Sequence, residues 1–144
     1  MEESKKVFVD SNYFIAYFHI HDALHSQALS IGQFLDTNTT TLVISNYIFL
    51  EIVTVLSQKA GVRTARTVGQ YLFAKPFIDI RHIDERLHRD TWEIFQKIQN
   101  KNVSFADCST IALMQAEGIR TLLTFDSTDF KHLKKHFSYR LFHL

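Results

Sequence analysis

Cysteine, proline and glycine are scarce in this chain: among 144 residues there are one Cys, one Pro and four Gly. A single thiol, Cys108, excludes an intrachain disulfide framework and a cysteine-rich zinc site. It fits a reducing compartment, and a cytoplasmic location is expected. So little Pro and Gly leaves scant room for long irregular loops. No stretch is long and apolar enough to span a bilayer. The start, Met1-Glu2-Glu3-Ser4-Lys5-Lys6, leads into only a short apolar run, so neither a signal peptide nor a membrane partner is expected. Internal repeats, low-complexity segments and interdomain linkers are also missing, which predicts one domain over residues 1–144.

What is present is ordinary globular material: 46% apolar and 22% charged residues, with 13 Phe to fill a core. Net charge is +1, but it is unevenly spread. Residues 1–58 carry two of the 16 basic residues and six of the 15 acids, leaving fourteen bases against nine acids in residues 59–144. A basic second half suits a polyanionic partner, and a mixed solvated surface explains it equally well. The bases concerned are Lys131, Lys134, Lys135 and Arg140 near the end, and Arg63, Arg66, Arg86 and Arg89 on predicted helices.

Strands are expected at Lys6–Val9, Thr41–Ile44, Phe77–Ile83, Thr121–Phe125 and Tyr139–Phe142. The third should be less buried than the first two, and the last should lie at an edge. Helices alternate with them. The first starts after Asp10 with Ser11 or Asn12 as its cap, and the second covers Ser26–Asp36. The third runs from Tyr47 to about Lys59, capped by Ser45 or Asn46 and ended by Gly61. A fourth covers Thr64–Phe73. A fifth follows Asp84 to about Asn100, with Leu87, Trp92, Ile94, Phe95 and Ile98 inward. A sixth spans Phe105–Glu117 and stops at Gly118, and a short basic one covers Phe130–His136. This alternation predicts an α/β fold around a mostly parallel sheet, with its site at the carboxyl ends of strands near a change in strand order.

Four acids stand in apolar settings. Asp10 ends Val7-Phe8-Val9, and Glu51 interrupts Tyr47-Ile48-Phe49-Leu50-Glu51-Ile52-Val53. Asp107 opens the run continuing through Leu113. Asp126 closes Thr121-Leu122-Leu123-Thr124-Phe125, with Asp129 just beyond. A carboxylate in such a place is costly unless paired, hydrogen-bonded or coordinated. Together the four imply one acidic pocket for Mg²⁺ or Mn²⁺, which prefer carboxylate and water oxygens. Such a site suits phosphodiester hydrolysis and needs no protein nucleophile.

The segments Val7-Phe8-Val9-Asp10-Ser11-Asn12, Ser45-Asn46-Tyr47-Ile48-Phe49-Leu50-Glu51, Val103-Ser104-Phe105-Ala106-Asp107-Cys108 and Leu123-Thr124-Phe125-Asp126-Ser127-Thr128-Asp129-Phe130 resemble, in order, the four motifs of the PIN domain. Within that family the likeness is to VapC-like toxin ribonucleases of bacteria and archaea. The resemblance spans nearly the whole chain. It implies a three-layer α/β/α domain and a Mg²⁺- or Mn²⁺-dependent endoribonuclease with Asp10, Glu51, Asp107 and Asp126 as catalytic metal ligands. It further implies an RNA substrate, an antitoxin protein as partner and a homodimer, for which the apolar surplus of Tyr47–Phe73 offers a face. Family members place the last acid at either of two positions in this loop. Asp126 is favoured because it directly follows the predicted strand, and Asp129 is read as a water-mediated ligand or a helix cap. Asn12 and Thr124 are read as supports for the carboxylates or a cation-bound water.

Other readings stand beside these. A PIN nuclease for RNA processing without an antitoxin, and a non-catalytic α/β binding module whose acids merely cap helices, use the same residues. A haloacid-type phosphatase would want a second Asp where Asn12 stands. His19, His21 and His25 read as a polar loop rather than a metal site. Cys108 reads as a small core thiol, and Trp92 as core.

Overall fold

A computed structural model describes residues 5–143. Glu2, Glu3 and the remainder of 1–4, together with Leu144, lie outside the described residues. The elements follow the chain as β1 (Lys6–Val9), α1 (Ser11–Phe18), α2 (His25–Thr37), β2 (Thr41–Ser45), α3 (Asn46–Ala60), α4 (Val62–Ala74), β3 (Ile78–Arg81), α5 (Glu85–Gln96), α6 (Phe105–Glu117), β4 (Thr121–Leu123), α7 (Ser127–Lys131) and β5 (Arg140–Leu141). All five strands join one parallel sheet in the order β3-β2-β1-β4-β5, flanked by helices as the α/β/α expectation requires.

The β-branched and aromatic runs become strands because both their faces are covered. Phe8, Ile44 and Leu122 are completely buried in neighbouring strands. Burying each such side chain contributes about 1.5–3 kcal/mol against the entropy of ordering the chain. The β3 edge strand is only half-buried beyond Ile78, as expected. Gly118 ends α6 with φ of +67°, a left-handed conformation that a Cβ would strain.

The order of strands matters most for function. The chain builds outward from β1 through β2 to β3, then returns to the opposite side of β1 for β4 and β5. The switch point therefore lies between the carboxyl ends of β1 and β4, where open parallel sheets form their crevices.

Several boundaries differ from the sequence reading. Asp10 itself, rather than Ser11 or Asn12, caps α1, whereas α3 is capped by Ser45, one of its two expected caps. Helix α5 stops at Gln96, well short of Asn100, where Asn100 Oδ1 accepts the Asn102 N–H at 2.9 Å. Local bonds of this kind compete with a helix. Strand β4 ends at Leu123 rather than Phe125. Helix α7 begins at Ser127 and passes, after Lys131, into tighter turns through His136. Trp92 is 52% exposed and Phe95 36% exposed, so neither belongs to the core.

Candidate active site

The switch point is bridged by side chains. Asp10 lies one residue beyond β1, and its backbone N–H donates to Leu123 O at 2.9 Å, continuing the pairing with β4. Its Oδ1 accepts the Ser11 N–H at 2.8 Å, and its Oδ2 accepts the Thr124 hydroxyl at 2.8 Å. Asn12 Oδ1 accepts the Phe125 N–H at 3.1 Å, which orients the amide. Its Nδ2 then donates to Thr124 Oγ1 at 3.1 Å and, at 3.4 Å, to Asp10 Oδ2. Thr124 Oγ1 also accepts the Asp126 N–H at 3.0 Å. The hydroxyl thus uses its one hydrogen and accepts twice, which saturates it.

This network explains why β4 is short. Asn12 takes the Phe125 N–H and Thr124 takes that of Asp126, so neither continues the ladder. Asp126 consequently does not follow the strand directly: Thr124 and Phe125 intervene, and Asp126 occupies the N-cap position of α7 without a capping bond.

Asp107 sits at the first turn of α6 in a reciprocal cap. Its N–H donates to Ser104 Oγ, and its Oδ2 accepts the Ser104 N–H, both at 3.0 Å. The Ser104-x-x-Asp107 spacing carries this signal in the sequence. Glu51 is half-buried on α3.

Electrostatics link these acids. Burial raises the Asp10 carboxyl to about 7, assisted by the charges of Asp107 and Glu51 and opposed by the Thr124 and Ser11 hydrogen bonds. Burial also raises Asp107, with Asp129 and Glu51 adding to the effect. Asp126 is pushed up to about 6 by desolvation, by the adjoining Asp129 and by Asp107. Asp10, Glu51, Asp107, Asp126 and Asp129 therefore share one electrostatic neighbourhood. Among the described residues, however, no three His, Cys, Asp or Glu side chains are grouped as a ready metal cage. Both Asp10 oxygens and Oδ2 of Asp107 are turned toward their own caps and supports.

The competing features fall away. The His25 Nδ1 lies 2.7 Å from Ala16 O, which ties it to the end of α1 rather than to a metal cluster. The Cys108 thiol is buried and raised to about 11, unsuited to nucleophilic work. A cleft of about 770 Å³ lined by Tyr13, Tyr17, Tyr71 and Phe77 is not at the acids; Thr41 and Leu42, at the start of β2, also line it.

A parallel α/β sheet with buried acid at its switch point defines the structural class. The chain belongs to the PIN domain family, whose model matches residues 7–136. It is similar to the 23S rRNA-specific endonuclease VapC20 of Mycobacterium tuberculosis, 24% identical over 120 residues, 83% of this chain and 88% of that protein. Ribonuclease VapC26 of the same organism is 23% identical over 126 residues, 88% of this chain and 90% of that one. The crystal structure of VapC20, described as a sarcin-ricin loop cleaving toxin, aligns with a TM-score of 0.76 at 25% identity, covering 88% of this chain and 94% of that chain. VapBC2 from Rickettsia felis, bound to a promoter DNA fragment, aligns with a TM-score of 0.61 at 17% identity over 95% of this chain and 97% of that chain, a likeness of fold alone.

Proposed function

We propose that this protein is an endoribonuclease that hydrolyses RNA phosphodiester bonds with Mg²⁺ or Mn²⁺, acting as the toxin of a type II toxin–antitoxin pair. The observation that carries the reading is the raised, buried carboxyl of Asp10 at the switch point, surrounded by like charge and held by Thr124. PIN-family membership and relatives named as ribonucleases support it.

The donor chemistry fits a hard divalent cation, since every nearby candidate ligand is a carboxylate. Mg²⁺ needs only one or two of these and keeps several waters, so a closed protein cage is not required. Asp10, Glu51, Asp107 and Asp126 would hold the ion, with Asp129 acting through water. When bound, the cation supplies an activated water and stabilises the leaving oxygen. The chain's own residues do the positioning. Thr124 and Asn12 keep Asp10 aimed, and Ser104 steadies Asp107 through the first turn of α6. Lys131 on α7, just after Asp129, is exposed and available to an RNA phosphate.

The same unneutralised acids would accept an Arg or Lys from an antitoxin protein. A homodimer is proposed across α3 and α4, where Leu50 and Phe73 are 66% and 73% exposed. The protein is read as one nuclease domain over residues 1–144 working in the cytoplasm. No helix of the described residues is long and apolar enough to cross a membrane.

Induced expression in the native host tests the toxin role. Growth arrest that Asp10→Asn relieves, and that co-expression of an adjacent small gene also relieves, supports it. Cleavage in vitro without arrest in vivo would replace it with an RNA-processing nuclease.

A further inference from the structure

Two stretches of the chain carry bases and no acid. Residues 94–106 hold Lys97 and Lys101, and residues 130–143 hold Lys131, Lys134, Lys135 and Arg140; Glu93, Asp107 and Asp129 mark their limits. The fold lays the two stretches together. Asn100 Nδ2 lies 3.0 Å from His132 Nε2. Asn100 is itself fixed by accepting the N–H groups of Asn102 and Val103. Lys97 and Lys135 converge on one imidazole: burial lowers His136, and the charges of Lys135 and Lys97 lower it further. The same stretches meet at the acids. Residues 97–103 lead directly into Ser104, which caps Asp107. Lys131 stands two positions after Asp129 on α7, and the charge of Asp129 bears on Asp107. Lys134 places its Nζ 5.7 Å from the Tyr139 ring. Burial, and then the charge of Asp107, pushes the Tyr139 hydroxyl up to about 12.

We propose that Lys97, Lys101, Lys131, Lys134 and Lys135 form one composite cradle for the phosphate backbone of RNA and hold the strand beside the acids irrespective of its bases. The proposal rests on the endoribonuclease reading and gives that site its substrate-binding surface. All five lysines are exposed, and among the described residues none pairs with a carboxylate. An acidic pocket repels phosphate, so attraction has to come from positive charge at its border. After Lys131 the bonds from Lys134 N to Lys131 O and from His136 N to Leu133 O keep the turn tight. At about 2 Å per residue, Lys131 to Lys135 spans about 8 Å, roughly two to three nucleotides of a strand rising about 3.4 Å each.

A protein partner fits this surface less well. Beyond Phe95, no large apolar side chain of either stretch is exposed among the described residues, so the hydrophobic anchors of protein interfaces are missing. The structure also sorts the remaining bases out of the cradle. Arg140 pairs with Thr121 at the start of β4, whereas Asp10 bonds to Leu123 at its end. Arg89 is held by Glu85 at 2.7 Å, and Arg86 shares α5 and its cap with Asp84, Glu85, Asp90 and Glu93. Glu93 lies one helical turn before Lys97, with no ion pair between them. Arg63 and Arg66 stand on α4, in neither stretch.

The salt dependence of binding tests the cradle. The Asp10→Asn protein, which should bind RNA without cutting it, is titrated with fluorescein-labelled single-stranded RNA oligonucleotides of unrelated sequence at several salt concentrations. In this background Lys101→Ala and Lys135→Ala should each weaken binding several-fold, alike for every sequence. Each should lower the slope of log affinity against log salt by about 0.7, the share of one phosphate contact on a single strand. Lys101→Arg and Lys135→Arg should keep both, and Arg63→Ala/Arg66→Ala should change neither. In the cleaving protein, Lys101→Ala/Lys135→Ala should raise KM and leave kcat near wild type, with an unchanged melting temperature because both positions are exposed. If the wild type cleaves RNA but the lysine variants keep its salt slope and KM, the cradle is wrong while the enzyme reading stands. If the Arg63→Ala/Arg66→Ala protein loses as much slope as the lysine variants, binding follows overall charge and the proposal is overturned. If the wild type neither binds nor cleaves RNA, both readings fail. If the lysine variants keep RNA binding but lose a complex with the protein of an adjacent small gene, the surface is a protein interface and the proposal is overturned.

Discussion

Thr124 donates its hydroxyl hydrogen to Oδ2 of Asp10 across 2.8 Å, tying the ends of two adjacent parallel strands at the point where the sheet reverses its order of growth. The bond favours the ionised carboxylate, yet burial and the neighbouring acids outweigh it and hold Asp10 near 7. The protein keeps an acid poised between charge states in a place that would suit an apolar residue if stability alone mattered.

Replacing Thr124 separates support from ligation. Thr124→Val deletes the donor to Asp10 and the acceptor for the Asp126 N–H, so Asp10 should titrate still higher. Cleavage should fall about ten- to a hundredfold, the usual loss when a partner of a metal ligand is removed. Unfolding stability should drop by about 1–3 kcal/mol. Thr124→Ser should recover most of both. Steady-state cleavage and chemical denaturation of the three proteins decide it.

Stability should fall as pH rises. A carboxyl whose folded value is about 7, against an ordinary 3.8, binds more protons in the native state than in the unfolded one. Its contribution is complete below 3.8 and is lost as pH climbs toward 7. Asp126, also raised, adds in the same sense but is more exposed and more screened. Thermal melts in chelator should therefore show a declining melting temperature over this window, and saturating Mg²⁺ or Mn²⁺ should flatten the decline by binding the ionised acids. A rising melting temperature over the same window in chelator would contradict the electrostatic picture.

Asp10→Asn should uncouple function from stability. The neutral amide is a poor metal ligand, so cleavage should drop more than about a hundredfold, beyond the loss expected for a supporting residue. Without cation, at neutral pH, relief of buried like charge should raise the melting temperature by about 3 °C or more. A melting experiment in chelator alongside the cleavage assay measures both.

The proposed dimer face is tested by charge. Leu50→Glu and Phe73→Glu place a carboxylate on exposed apolar positions of α3 and α4. Sedimentation at micromolar concentration should show a wild-type dimer and a monomer for the double variant. A wild-type monomer at every concentration removes the dimer.

Much of this architecture was legible because its signals are local. Lys6–Val9 and Phe105–Glu117 appear with the expected boundaries, the latter stopped by Gly118 as its φ requires. The features that escaped depend on tertiary partners. Thr121-Leu122-Leu123-Thr124-Phe125 has strand propensity throughout, but Asn12 captures the Phe125 N–H and ends the ladder early. Trp92 and Phe95 share helical spacing with Leu87 and Ile94, and spacing alone cannot tell a ring packed inward from one left facing solvent. The shared field of the acids likewise arises only when β1, α3, α6 and the α7 loop are brought together. Oδ2 of Asp107, by contrast, accepts the Ser104 N–H through a capping signal that is itself local in the sequence.

The central claim is tested most directly by incubating purified protein with RNA, in excess EDTA and then with Mg²⁺ or Mn²⁺ restored, with Asp10→Asn treated in parallel. The account predicts internal cleavage by the wild type only when the cation is present, and none above background by the variant. Undiminished cleavage in EDTA, or equal cleavage by Asp10→Asn, would contradict it.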